Sequence, residues 1–196
     1  MIRLNLTRTI AAFTLITLAV SGCASPPAPK FPDLRFTHMP KITLDVAAIE
    51  IVDNFQPAGP AHIEDRMPVS PETALRNWAQ DRLQAGGVSG VAKFIINSAA
   101  VTETKLTKKG GITGAFTTQQ SHRYDALLRV ELRLEGVPRV SKAFAEANVT
   151  RSQTLGEDAS INVREQMWFD LTDSLMKDYD PLMAASIRTH LSDLVR

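Results

Sequence analysis

A two-layer α+β domain, with a mainly antiparallel sheet of about four strands and helices packed on one face, is the fold class that the sequence predicts, on three observations. Periodic segments follow one another in the order strand, helix, three consecutive strands, then helical sequence to the end. The stretch from Tyr124 to Glu135 alternates cleanly, with Tyr124, Ala126, Leu128, Val130, Leu132 and Leu134 on one side and Asp125, Arg129, Glu131, Arg133 and Glu135 on the other. One face of that strand is therefore buried and one is wet. Lastly, Ala74, Leu75, Trp78, Ala79 and Leu83 recur at helical spacing, as do Val163, Met167, Leu171 and Leu175.

The first element after the leader region is Lys41 to Phe55. Ile42, Leu44 and Val46 lie in one phase and Ile49 and Ile51 in the other, which predicts a single strand with a bulge near Ala47-Ala48. Pro57, Pro60 and Pro68 make residues 56–69 a surface loop. Ser70-Pro71-Glu72 reads as a helix start, with a serine N-cap, proline in the first turn and an acid at the positive helix end. Gly86-Gly87 is the expected stop. Trp78 falls on the apolar face of this helix and is read as a core anchor, while Arg76, Asn77, Gln80 and Asp81 are expected to point away. Strands follow at Val91 to Leu106 and His122 to Glu135, joined by residues 107–121. Gly136-Val137-Pro138-Arg139 turns the chain into another, in which Ala143, Ala145, Ala147 and Val149 share a face and leave room for a helix to approach closely. Residues 160–178 form a helix, and Pro181 is expected to break it at Tyr179-Asp180 before a last helix carrying Leu182, Met183, Ile187, Leu191 and Leu194.

Composition excludes several function classes. The chain has 196 residues, 44% of them hydrophobic and 22% charged, the balance of a globular protein with one core. Arg3 and Arg8 are the only charged side chains before Cys23, which leaves 20 basic and 21 acidic groups from Cys23 onward. Such a balance offers no basic field for nucleic acid. A single cysteine rules out an intrachain disulfide and a zinc site built on paired thiolates.

Residues 1–9 carry two arginines and no acid, and residues 10–20 are an uncharged apolar run, the order of a secretory signal. At about 1.5 Å per residue that run reaches only part of a ~30 Å hydrocarbon core. It ends in Val20-Ser21-Gly22-Cys23, which resembles the lipobox of bacterial lipoproteins. The resemblance implies cleavage before Cys23, attachment of fatty acyl chains such as palmitate to that cysteine, and membrane retention through them. Ala24, following the cysteine, implies the outer membrane of a Gram-negative cell, with the protein on the periplasmic face. The chain thus divides into a signal peptide (residues 1–22), a lipidated proline-rich tether (23–40) and a single α+β periplasmic domain (41–196). Five prolines between Ala24 and Pro40 favour an extended tether, yet Phe31, Leu34, Phe36 and Met39 are more than a spacer needs and are expected to dock on the domain or on a partner.

Templates for chemistry fail one by one. His38, His62, His122 and His190 are scattered, and no pair has the i, i+4 spacing of a helical metal site. His62-Ile63-Glu64-Asp65 is a local set of possible ligands, read as an exposed polar loop rather than a metal centre. There is no G-x-S-x-G turn, and Lys108-Lys109-Gly110-Gly111 lacks the lysine-serine/threonine spacing of a phosphate loop. No catalytic residue, metal ligand or cofactor site is assigned. The segment TKKGGITGAFTTQQS remains, long for a hairpin turn, with Ile112 and Phe116 among polar residues and Lys108 and Lys109 at its start. Either the strands extend outward as a projecting hairpin, with these four as the candidate contacts for an envelope protein partner, or the segment is a mobile loop.

The element order, with the lipobox, is similar to that of small α/β envelope lipoproteins such as the LPS-assembly lipoprotein and the YajG-like group. That similarity rests on order alone and implies a non-enzymatic accessory of envelope assembly or transport. Two alternatives stand beside it: an envelope hydrolase with acids assembled across the sheet, and a small-molecule or lipid carrier enclosing a cavity between the layers.

Overall fold

The structure, a computed structural model, describes residues 31–107, 119–138 and 143–196. Among these residues, six strands and two α-helices run in the order β1 (Ile42–Leu44), β2 (Ala48–Asp53), α1 (Pro71–Arg82), β3 (Leu83–Ala85), β4 (Val91–Lys105), β5 (Gln120–Glu135), β6 (Ala143–Gly156) and α2 (Ile161–His190). A four-stranded sheet has the order β2-β4-β5-β6, and a two-stranded sheet pairs β1 with β3. The β4–β5 and β5–β6 pairs are antiparallel, as expected, but β2 lies parallel to β4 because α1 carries the chain back across the sheet between them.

The strand expected over Lys41 to Phe55 is two strands in two sheets. Rather than a bulge, residues 45–47 form a bend that hands the chain from β3 to β4 as pairing partner. The bend is held by backbone bonds from Asp45 N–H to the Leu194 carbonyl (2.8 Å) and from Ala47 N–H to the Gly90 carbonyl (3.0 Å). Helix α1 begins where the sequence placed it, with Ser70 Oγ accepting from Thr73 N–H and Pro71 in the first turn. It ends at Arg82, before Gly86-Gly87, since Leu83–Ala85 straightens to pair with β1. Gly87 is required by close approach: a Cβ there would sit 2.5 Å from the Asp45 carbonyl carbon and 2.6 Å from Val46 N.

The alternation of β5 is as predicted, with Tyr124, Ala126, Leu128, Val130, Leu132 and Leu134 all buried, while Leu127, on the opposite face, is half-buried. A bulge between Ile96 and Ser98 re-phases β4, so that Ala92, Phe94 and Ile96 before it and Ala99 and Val101 after it all face the core. Ala145 and Ala147 are buried beneath α2, which crosses β6. Trp78 anchors the core, stacked on Phe94 (centroids 5.7 Å apart) and edge-on to Tyr179 (5.1 Å).

Pro181 does not break the last helix; α2 is continuous over 30 residues. An interior proline costs about 3 kcal/mol and disfavours helical backbone at its predecessor. Against that cost stand buried Leu175, Met176 and Tyr179 on one side of the proline and Met183 and Ile187 on the other, all in the same core. Asp180 itself is clamped, accepting from Trp78 Nε1 (2.8 Å) and Arg82 Nε (2.9 Å).

Of the two fates open to the apolar residues before Pro40, docking on the domain is the one adopted. Phe36 is buried in the core, Leu34 and Met39 pack against it, and Phe31 lies 5.3 Å from Phe169, centroid to centroid. This docking corrects one helix assignment, because Asp81 is buried rather than turned to solvent. Arg35 pairs with its carboxylate and Phe36 N–H donates to it at 2.8 Å. Burial alone pushes the Asp81 carboxyl up, but the Arg35 and Phe36 hydrogen bonds and the Arg35 charge outweigh it and hold it below the usual carboxylate range.

Candidate functional site at the base of the β4–β5 hairpin

Cys23, Lys108, Lys109, Ile112 and Phe116 lie outside the described residues. What is described is the end of the β4–β5 pair on either side of residues 108–118. The β4–β5 ladder reaches Lys105 opposite His122, Leu106 N–H donates to the Ser121 carbonyl (2.8 Å), and Glu157 N–H donates to the Gln119 carbonyl (3.0 Å). The base is thus tied to both the sheet and the turn leading into α2.

A polar cluster sits at this end of the core. The β4 bulge brings Glu103 into phase with Ala99 and Val101, so a carboxylate faces inward directly opposite Tyr124. Tyr124 Oη donates to Glu103 Oε1 (2.7 Å), Arg66 Nη2 lies 3.3 Å from Oε2, and Arg164 Nη1 lies 3.5 Å from Oε1. Trp168 meets the Tyr124 ring edge-on at 5.9 Å, with the Arg66 guanidinium 6.0 Å over its own ring. Burial would raise the Glu103 pKa, but the Tyr124 and Arg66 hydrogen bonds and the nearby His122 and Arg66 charges bring it below the ordinary value. Tyr124 is pushed far above the usual phenol range, by burial first and then by its bond to Glu103.

The same corner places Ser121 Oγ 2.7 Å from His122 Nδ1, with His122 Nε2 3.9 Å from Glu103 Oε1. Serine, histidine and glutamate are the types of a nucleophilic triad, but the arrangement is a structural one. Ser121 is 9% exposed and its hydroxyl also reaches the Leu155 carbonyl at 3.4 Å, while Glu103 spends its oxygens on tyrosine and two arginines. The cluster can fasten β4, β5, the loop before α1 and the start of α2 to one another at this end of the sheet.

The His62 to Asp65 set is also put to structural use. Glu64 is buried, not an exposed loop residue: its Oε1 accepts from Val101 N–H (2.6 Å) and lies 2.8 Å from His62 Nδ1. Among the described residues no group of three or more histidine, cysteine or acidic side chains has the geometry to hold a metal ion. Sequence reasoning missed Glu103, Arg66 and Arg164 because their meeting depends on the bulge and on α2 crossing the sheet. The one local hint was Glu103 standing two and four residues after Val101 and Ala99, in the apolar phase.

Among the described residues no helix is long and apolar enough to cross a membrane. No family model and no curated protein matches the chain. Comparison with solved structures gives only loose matches. The rare lipoprotein B from Shewanella oneidensis is 10% identical with a TM-score of 0.39, over 72% of this chain and 95% of that one. A minor lipoprotein from Acinetobacter baumannii is 15% identical with a TM-score of 0.30, over 69% and 92%. Superpositions as loose as these carry no argument about activity.

Proposed function

We propose that this chain is a bacterial lipoprotein, acylated at Cys23 and held at the periplasmic face of the outer membrane of a Gram-negative cell, where it acts without catalysis as an accessory of envelope assembly or transport. Its chief support is the apolar run ending in Val20-Ser21-Gly22-Cys23, which places the lone thiol where acylation requires it. The described fold adds a spatial relation. Phe31 packs on Phe169, in the first third of α2, and α2 starts at the end of the sheet where β4 and β5 leave for the hairpin. The eight steps from Cys23 to Phe31 span at most about 30 Å even when extended. An acyl anchor there keeps the hairpin end of the domain close to the lipid surface.

On this reading Lys108, Lys109, Ile112 and Phe116 contact an envelope protein, and the Glu103 cluster stiffens their base. Photo-crosslinkers placed at positions 112 and 116 in intact cells are expected to trap one specific envelope protein. Recovery of the monomer alone at both positions would remove the contact assignment.

A further inference from the structure

At the end of the domain far from the hairpin, a pocket of about 230 Å3 opens between the segment entering β1, the last turns of α2 and the chain end. Lys41, Arg82, Arg188 and Arg196 line it together with apolar residues that include Ile187 and Val195, and the lining holds no acidic side chain. Two of the cations are compensated from behind: Arg82 Nε by Asp180 (2.9 Å) and Arg196 Nη2 by Asp45 (2.8 Å). Lys41 and Arg188 form no salt bridge within 4 Å among the described residues, although Lys41 also acts on the Asp81 carboxylate that Arg35 already pairs, so positive charge is in excess around the opening.

Arg82 makes this more than a basic surface. Its side chain is 7% exposed, and its Nη1 is buried without any hydrogen-bond partner. A guanidinium is strongly hydrated when free and presents a rigid fork of donors, so leaving one arm buried and unpaired is costly unless an acceptor completes it. A tetrahedral oxyanion does so, since guanidinium groups match its oxygens bidentately. The volume exceeds the ~30 Å3 share of a single water but falls below the ~300–1,000 Å3 of pockets that enclose drug-sized ligands. It suits one headgroup rather than a whole lipid or nucleotide.

We propose that this pocket binds a phosphate monoester, whose charge of about −1.5 to −2 near neutral pH suits an opening where cations outnumber their carboxylate partners. Arg82 and Arg188 hold the phosphoryl oxygens, Lys41 adds positive charge at the rim, and Ile187 and Val195 face the ester side. The ester comes either from a soluble phosphorylated compound or from a lipid headgroup. This site is independent of the anchor and of the hairpin contact.

Calorimetric titration of the full chain in detergent tests it, with inorganic phosphate, dihexanoyl phosphatidic acid and, as zwitterionic control, dihexanoyl phosphatidylcholine. One site per chain is expected for phosphate, phosphatidic acid or both, and none for phosphatidylcholine. Phosphatidic acid alone points to the lipid source, and phosphate binding as tightly as phosphatidic acid points to the soluble one. Lys41→Gln and Arg188→Gln, both exposed and neither in a salt bridge within 4 Å, should leave the melting temperature nearly unchanged while each weakens binding about ten-fold. Arg129→Gln, an exposed cation on the uncovered sheet face, should leave it unchanged. The proposal is overturned if neither anionic probe binds, or if Arg129→Gln weakens binding as much as the pocket variants do, since the attraction would then be one of net charge.

Discussion

Strand β5 pairs along its whole length with the strands before and after it in the chain, whereas β1 and β3 meet across the intervening loop and helix and are closed off by the last residues of the protein. In β5 the face of each side chain follows from its parity, because a one-residue slip would turn the whole apolar set to solvent. In the corner, three-residue strands have no period to read. Their geometry comes from Arg196 N–H donating to the Thr43 carbonyl, Gly86 N–H to Leu44 and Asp45 N–H to Leu194, three bonds joining distant parts of the chain. Structure encoded by local pattern is therefore legible in this sequence, and structure encoded by convergence of separate segments is not.

The sharpest way to break the comparison is Val130→Asp. Val130 is 2% exposed in the middle of β5, and an unpaired carboxylate there should unfold the domain outright. Circular dichroism and urea titration would show it; a soluble, cooperatively melting variant would mean the register is wrong. Next in size is Asp180→Ala, which strips the acceptor from Trp78 Nε1 and the counter-charge from Arg82 at the junction of α1 and β3. A loss of about 3–5 kcal/mol in urea titration is expected. A loss below about 1 kcal/mol would show that the clamp does not hold the corner to α2.

Gly87→Ala probes the corner alone, and the forced shift of the Asp45-Val46 backbone should cost about 1–3 kcal/mol without unfolding β5. Amide exchange is the reading: protection should fall at Gly86, Gly87 and Arg196 and persist at Leu128 and Val130. A uniform fall would join the two regions into one cooperative unit. Pro181→Ala acts in the opposite direction. If α2 is continuous, restoring an N–H inside it should raise stability by about 1–3 kcal/mol; a neutral or destabilising effect would favour a break at Tyr179-Asp180.

The limits of sequence reading follow the same division. Ser70, the β5 alternation, the alanines of β6 and Trp78 were legible because each signal is complete within one turn or one strand. The proline rule failed at Pro181 because tertiary burial on both sides outweighed a local penalty. Asp81 and Glu64 were read as exposed because the groups that cover them, Arg35 with Phe36 and the Val101 amide, are more than thirty residues away. Glu103 belongs to the same class, since a bulge cannot be read from a strand whose residues are apolar on both faces. For the lipidation motif the position is reversed: it is entirely local, within Val20 to Cys23, and owes nothing to the fold.

That motif carries the central claim, and labelling cells with radioactive palmitate tests it most directly. The wild-type chain is expected to take up label and to sediment with outer-membrane vesicles, whereas Cys23→Ser should take up none and either remain at precursor length or leave the membrane fraction. Equal labelling of the two chains, or an unlabelled wild type, would contradict the lipoprotein assignment and with it the placing of the hairpin end at the lipid surface.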